Sequence, residues 1–252
     1  MSRNKVKNLI LLKQIHSAVS QIKKGKLDKA LETLDKAEKS ARQAKSKDAL
    51  YYILFTRGGI LYSAKEYDQA LETYERALDA GSDLLKTDPE NVDYQHYMGT
   101  TLSNTGNLLK NKGEMDKAAE YYSQARNIYS ELTTRDSENA VFRSYAGENL
   151  NNYGALLIES GSLDKASEVL REAVEVYQKL YNEKPGNLGY QAELSVALSQ
   201  LGSSLKQQGD METAKKSLEK ALEMQENLLA QQPENEKIKE AISLTKERLE
   251  GL

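Results

Sequence analysis

"LSNTGNLLKNKGEMDKAAEYYSQA", residues 102–125, sets glycines and spaced alanines among apolar residues, where bulky side chains ordinarily fill a core. The stretch returns as "LNNYGALLIESGSLDKASEVLREA" (150–173) and as "LSQLGSSLKQQGDMETAKKSLEKA" (198–221), so the small residues belong to a repeating unit. Ala118, Ala166 and Ala214 stand 48 residues apart, with Ala70 another 48 before them. The same step relates Gly106, Gly154 and Gly202; Gly113, Gly161 and Gly209; Leu109, Leu157 and Leu205; Ala125, Ala173 and Ala221. A looser copy, "GKLDKALETLDKA" (25–37), lies 40 residues before "KEYDQALETYERA" (65–77). A fixed period of this size marks stacked structural units, each unable to bury its apolar face alone. The period divides the chain into five copies, about 4–46, 47–87, 88–135, 136–183 and 184–231, and a tail at 234–250.

Within a copy, apolar residues recur three and four apart, as in Leu102, Thr105 and Leu109 and then Met115, Ala118, Tyr122 and Ala125. That is the pattern of two amphipathic helices broken at Gly113. Gly25, Gly113, Gly161 and Gly209 are expected to take the positive φ that ends the first helix, and Ser162 or Asp210 to cap the second. Asn91, Asn139, Asn187 and Asn235 form a further 48-residue column ahead of helical runs and are expected to be N-caps. With Gly106 on one helix and Ala118 on the other, the two backbones approach closely, while Ala125 leaves room for the next hairpin. Ile238, Ile242, Thr245 and Leu249 mark one face of a last helix that shields the fifth copy, as the end of a complete protein would.

The combination Leu102, Gly106, Leu109, Ala118, Tyr122 and Ala125, repeated at Leu150 to Ala173, Leu198 to Ala221 and Leu54 to Ala77, resembles the tetratricopeptide repeat family. These units exceed the family's usual length of about 34 residues, most simply by two extra turns on each helix, and so are similar to the extended repeats of kinesin light chains. The first copy departs most, with Ala18 where the others have glycine. The resemblance implies a single all-α domain over 1–252, a right-handed superhelical solenoid of stacked antiparallel helix pairs with a capping helix. It also implies a protein-interaction scaffold that binds a peptide or helix in a concave groove lined by the first helices.

The groove positions lie opposite the Leu102 and Leu109 columns. They are Tyr52, Phe55, Gly59 and Tyr62 in the second copy, and Thr100, Ser103, Asn104, Asn107 and Asn111 in the third. The fourth copy supplies Glu148, Asn151, Asn152 and Ala155, and the fifth Val196, Ser199, Gln200 and Ser203. One end of the strip is aromatic and the middle is rich in amides. An amide has both donors and an acceptor and can bond an extended peptide's backbone without reading its side chains. The alternative is an amide face that merely carries water. Neither Asn107 nor Asn151 lies in a packing column, so both read as replaceable without loss of fold. These positions hold no Lys or Arg, which argues against a clamp for acidic C-terminal tails.

Composition narrows the remaining classes. With 39% hydrophobic and 29% charged residues, no Cys and no apolar run longer than Leu9-Ile10-Leu11-Leu12 near the start, the expectation is a soluble, cytoplasmic protein without disulfides. His16 and His96 belong to unrelated positions, Glu148 and Glu159 are three turns apart, and no phosphate loop or nucleophile elbow is present. No catalytic residue, metal or cofactor is therefore expected, and neither is a membrane or a specific nucleic acid as partner. Residues 1–50 carry 13 Lys/Arg against 5 Asp/Glu, and the remainder 22 against 33. The basic end is either the solvated face of terminal helices or a surface for an anionic partner. Self-association through tyrosines such as Tyr94, Tyr97, Tyr145 and Tyr190 is a further possibility, although Tyr94, Phe142 and Tyr190 share a column that suits packing between repeats.

Overall fold

The computed structural model describes residues 3–251, with side chains from residue 11 onward; the N-terminal Arg3, Lys5, Lys7, Leu9 and Ile10 side chains lie outside the described residues. The described chain is helical throughout, without a strand. In order, the helices are α1 (Arg3–Lys23), α2 (Leu27–Ala44), α3 (Lys47–Ser63), α4 (Tyr67–Thr87), α5 (Val92–Asn111), α6 (Met115–Arg135), α7 (Ala140–Glu159), α8 (Leu163–Glu183), α9 (Leu188–Gln208), α10 (Met211–Gln231) and α11 (Glu236–Glu250). Helices α5 to α10 run 20 or 21 residues each, which supplies the extra turns expected from the long period. Among the described residues no helix is long and apolar enough to cross a membrane.

The chain forms two compact units, Met1–Glu114 and Met115–Leu252. In the first, each of α1 to α4 packs on the next, ending at α5, and α1 also touches α3. In the second, α6 to α11 pack in succession, α7 lies against α9, and α9 against α11. The alanine columns are sealed from solvent: Ala30, Ala70, Ala118, Ala166 and Ala214 are fully buried, as are Ala77, Ala125, Ala173 and Ala221. In α11, Ile242 and Thr245 are buried against the rest of the second unit while Leu244 faces out.

What the in-helix glycines admit is chiefly a side chain. A Cβ on Gly58 would stand 2.5 Å from Tyr74 Cε1, and one on Gly202 would stand 2.6 Å from Leu218 Cγ and 3.0 Å from the Ala214 carbonyl oxygen. The backbone approach expected from the sequence is thus mediated by a large residue sixteen positions later, seated where the glycine has nothing. A second close pair reverses its own polarity between units. In the second unit Gly147 on α7 receives the Tyr177 ring of α8, with a notional Cβ 2.6 Å from the ring. In the first unit Tyr51 on α3 supplies the ring, and Gly81 on α4 supplies the space, with a notional Cβ 3.0 Å away. Both hydroxyls are bonded. Tyr177 donates to the Ser144 carbonyl at 3.1 Å. Tyr51 and Thr101 share a 3.1 Å bond in which Thr101 accepts, because Thr101 gives its own proton to the Tyr97 carbonyl.

Helix ends follow the sequence in most places. Gly25, Gly113, Gly161 and Gly209 have φ of 69°, 81°, 75° and 90°. The Asn91, Asn139 and Asn187 side chains accept N–H groups of the first turns of α5, α7 and α9. Asn235 occupies the same position but turns its amide to Gln232, and its carbonyl caps nothing. Asp210 caps α10 through the Thr213 N–H, whereas the Ser162 hydroxyl, against expectation, accepts from Ser160 and leaves the α8 N–H groups alone. In the second copy the left-handed position is held by Lys65, at φ 64°.

That last position yields a paired test. Gly161→Ala places a Cβ in the left-handed region and is expected to cost about 1 kcal/mol. Lys65→Gly removes the same strain and is expected to stabilise by up to about 1 kcal/mol, less the entropy glycine adds to the unfolded chain. Denaturation midpoints of the two variants should move in opposite directions; shifts of one sign would show that the turn conformation does not limit stability.

Candidate functional site

In the first unit the expected groove residues gather around Tyr97, which the sequence reading had assigned to possible self-association. Tyr52 meets Tyr97 edge to face at 5.0 Å between centroids, and Phe55 meets it at 5.8 Å. Phe55 also approaches Tyr74 at 6.5 Å, and Tyr62 packs on Tyr67 at 5.8 Å. Tyr52 and Phe55 are half-buried, so the cluster is an aromatic surface with its edges held by α4 and α5. Burial, followed by the neighbouring Tyr97, raises the Tyr52 pKa to about 12, so its hydroxyl stays a neutral donor. On α5, Ser103 is buried, Asn104 donates to the Tyr74 hydroxyl at 3.2 Å, Asn107 is half-buried and Asn111 is exposed. Asn104 is therefore partly engaged in holding the α4 ring that fills Gly58.

In the second unit the face is charged as well as amide-bearing. Asn151 is only 3% exposed, and its Nδ2 donates to both the backbone carbonyl (3.3 Å) and the carboxylate (3.1 Å) of Glu193 on α9. These donations fix the amide's orientation and leave Oδ1 buried without a donor. Asn151 is thus a tie between first helices, not the replaceable surface amide expected from its place outside the packing columns. Glu148 is exposed on α7. Loss of hydration first, and the Glu193 charge second, raise its carboxyl pKa. Asn152, Ala155, Val196, Gln200 and Ser203 are half-buried, and the Gln200 Oε1 also lacks a donor.

Ser199 is 4% exposed and occupied by the last helix: it shares a 3.0 Å bond with Thr245 and accepts from Arg248 Nη1 at 2.8 Å. A cation therefore reaches this face from α11 although none comes from the expected positions. Burial lowers the Arg248 pKa, against the Glu247 charge that raises it. Lys206 closes the arrangement by donating to the Arg248 carbonyl at 2.7 Å. Glu193, Arg248 and Tyr97 were not singled out for the groove. Tyr97 and Glu193 lie one turn beyond the Tyr94 and Tyr190 packing column, so the i, i+3 geometry was the available signal. Arg248 carried none, because its reach depends on how α11 docks.

The packing column itself works between repeats: Tyr94 donates to Asp48 Oδ1 at 2.7 Å, and Phe142 is buried. Outside the candidate faces, a recess of about 670 Å³ between α6, α7 and α8 is rimmed by Arg126 and Arg143. Arg126 is paired with Glu172, and Arg143 binds both Glu183 oxygens at 2.6 and 2.7 Å, so the two guanidiniums are already neutralised. Among the described residues no group of three or more His, Asp and Glu is placed to hold a metal ion.

Two outcomes check this geometry. Glu148 takes up its proton more readily folded than unfolded, so its ionisation opposes folding at neutral pH and that penalty fades as pH falls through the raised pKa. Glu148→Gln is expected to raise the melting temperature at about pH 7 and to lose that advantage by about pH 3, below the ordinary carboxyl range, where both states are protonated. Asn151→Ala, by contrast, is expected to cost about 1–3 kcal/mol for a buried partner removed. Thermal scans across this pH range would contradict the placement if Glu148→Gln were destabilising at neutral pH.

The profile of the tetratricopeptide repeat matches residues 101–131, 147–180 and 196–228, and a second profile of the same repeat matches residues 17–84. The chain belongs to the tetratricopeptide repeat family. A search of curated protein sequences gives no significant match. Among solved structures, BtubC (BKLC) from P. vanneervenii superposes with a TM-score of 0.69 at 21% identity, over 89% of this chain and 82% of that one. A Podosopora anserina kinesin light chain protein with nearly identical TPR-like repeats gives 0.59 at 16%, over 85% and 94%. YrrB, a TPR protein with an unusual peptide-binding site, gives 0.52 at 21%, over 88% and 91%. At these identities the likeness establishes the fold.

Proposed function

We propose that this tetratricopeptide repeat protein is an interaction scaffold that binds an extended peptide segment along the first-helix faces, with a basic residue of the peptide seated between Glu148 and Glu193. The observation that carries the reading is the unrelieved acceptor character of the α7–α9 face. Loss of hydration and the Glu193 charge raise the cost of ionising Glu148 there, and the Asn151 amide already donates to Glu193. A lysine or arginine side chain relieves the repulsion. Arg248, already bonded to Ser199, supplies the complementary cation for a carbonyl or carboxylate further along the same unit. In the first unit, Tyr52 and Phe55 offer apolar contact area to a peptide that reaches α3. The peptide-binding site named for YrrB supports the choice of ligand class, since that protein shares the fold.

The test is selection from a random peptide library followed by calorimetric titration. Lys- or Arg-containing sequences are expected to be enriched, to bind more weakly as salt rises, and to lose roughly fivefold to a hundredfold in affinity to Glu148→Gln/Glu193→Gln. Tyr52→Ala/Phe55→Ala, in the other unit, is expected to leave the affinity of the α7–α9 face unchanged. Enrichment without basic residues, or affinity unchanged in the charge variant with its fold intact, contradicts the reading.

A further inference from the structure

We infer that the Tyr52–Tyr97 ring pair, where side chains from the N-terminal halves of α3 and α5 meet, forms with the Asp93 carboxylate a binding site for an arginine side chain of a protein partner. The Tyr52 and Tyr97 centroids lie 5.0 Å apart with the rings at 88°, and Phe55 of α3 approaches Tyr97 at 5.8 Å. Tyr52, Phe55 and Tyr97 are half-buried, unlike Tyr51 and Tyr74 of the same unit, which are sealed in its core. The site lies wholly in the first unit and would stand if the Glu148–Glu193 reading failed.

The charge beside the rings selects the occupant. Asp48 precedes Tyr52 by one turn on α3, and Asp93 precedes Tyr97 by one turn on α5, so each ring has a carboxylate on its own face of the helix. The Tyr94 hydroxyl donates to Asp48 Oδ1 at 2.7 Å and ties the two helix starts together. That bond engages Asp48, whereas Asp93 is exposed, and among the described residues no lysine or arginine is paired with it. Lys47, beside Asp48 in the chain, reaches instead to Asp83 at 3.7 Å. Burial first, Tyr97 second, and then Asp93 and Asp48 raise the Tyr52 pKa to about 12, so both carboxylates act on that ring. The second unit carries the same electrostatic sign in the same register: two 48-residue steps on, Glu148 stands in the Tyr52 column and Glu193 in the Tyr97 column. Ring faces and carboxylates alike attract a cation.

The shape of the rings then selects among cations. A purely apolar segment would cover them but strip water from Asp93 with nothing in return. A quaternary ammonium suits rings that enclose it on several sides, whereas this pair is edge to face and offers flat surface. An edge-to-face contact covers at most one π face of the two rings, so stacking surface is left beside the pair. A guanidinium is itself flat. It stacks on a ring while its fork of N–H groups meets a carboxylate, and it gives up its water more readily than the ammonium of lysine.

The probe is arginine capped at both ends, as its N-acetyl methylamide, titrated into the full chain while the ring resonances of Tyr52 and Tyr97 are followed by NMR. Saturable shifts are expected, several-fold weaker with lysine capped in the same way and lost with citrulline, which keeps the shape without the charge. Tighter binding of capped trimethyllysine would overturn the arginine assignment in favour of a quaternary ammonium. Binding of free arginine but not of the capped residue would overturn the assignment to a protein partner. Asp93→Asn, a change at the surface, is expected to weaken binding by about threefold and to flatten its dependence on salt. Tyr97→Leu keeps apolar bulk without a π face and is expected to weaken binding by about twofold to thirtyfold, read at Tyr52. Should that variant not fold, Tyr52→Leu, read at Tyr97, is expected to have the same effect. Glu148→Gln/Glu193→Gln should leave these shifts in place, and their loss there would assign them to the other face. Absence of saturable shifts, equal binding of citrulline, or affinity unchanged in Asp93→Asn and in whichever ring variant folds, overturns the proposal.

Discussion

Where the N-terminal half of a first helix meets the C-terminal half of its partner, the gap admits one aromatic ring, and the chain supplies it from either side. In α3 and α4 the ring is Tyr51 and the space is Gly81; in α7 and α8 the ring is Tyr177 and the space is Gly147. In each of these two hairpins the gap is filled once and never twice. Long helices need a spacer at each end of their contact, and here the alanine columns set the approach at one end while the ring sets it at the other. A β-carbon on the glycine side has nowhere to go, because interiors are packed to near crystal density and a single extra carbon is felt.

The same constraint places the surfaces that are available for function. Once the ring-and-glycine pairs and the alanines set the contacts within each hairpin, the first helices are left with faces that need not be apolar, and the sequence fills them differently in each unit. The first unit offers tyrosine and phenylalanine edges, the second carboxylates, amides and one arginine from α11. Asn151 joins the two roles. It ties α7 to α9 through Glu193, beneath the carboxylates that face outward. Residues of that kind make a binding face rigid, which lowers the ordering cost of taking up a ligand.

Much of this was legible in the sequence because the period repeats at every level. Helix boundaries fell close to the expected breaks, since glycine at the left-handed turn and asparagine at the N-cap recur in register. The exceptions have local causes. Ser162 loses its cap to a neighbouring hydroxyl, and Lys65 takes a glycine's backbone conformation because the turn geometry outweighs the cost of a side chain there. The face residues were read less well. Their type was plain, but whether Ser199, Asn104 or Asn151 stands open depends on the neighbouring helix that reaches them. Those partners, Arg248, Tyr74 and Glu193, lie 30 to 49 positions away along the chain, beyond any local pattern.

The central claim is that ring and space form one interchangeable unit, and the most direct measurement is a double-mutant cycle on the second unit. Gly147→Tyr should overpack and Tyr177→Gly should leave a cavity, each destabilising by several kcal/mol, on the order of the larger core substitutions. Combining them reproduces the Tyr51–Gly81 arrangement, and the pair should recover well over about 1 kcal/mol relative to the sum of its parts, measured by chemical denaturation. Additive losses, with no recovery in the swapped protein, would contradict the account.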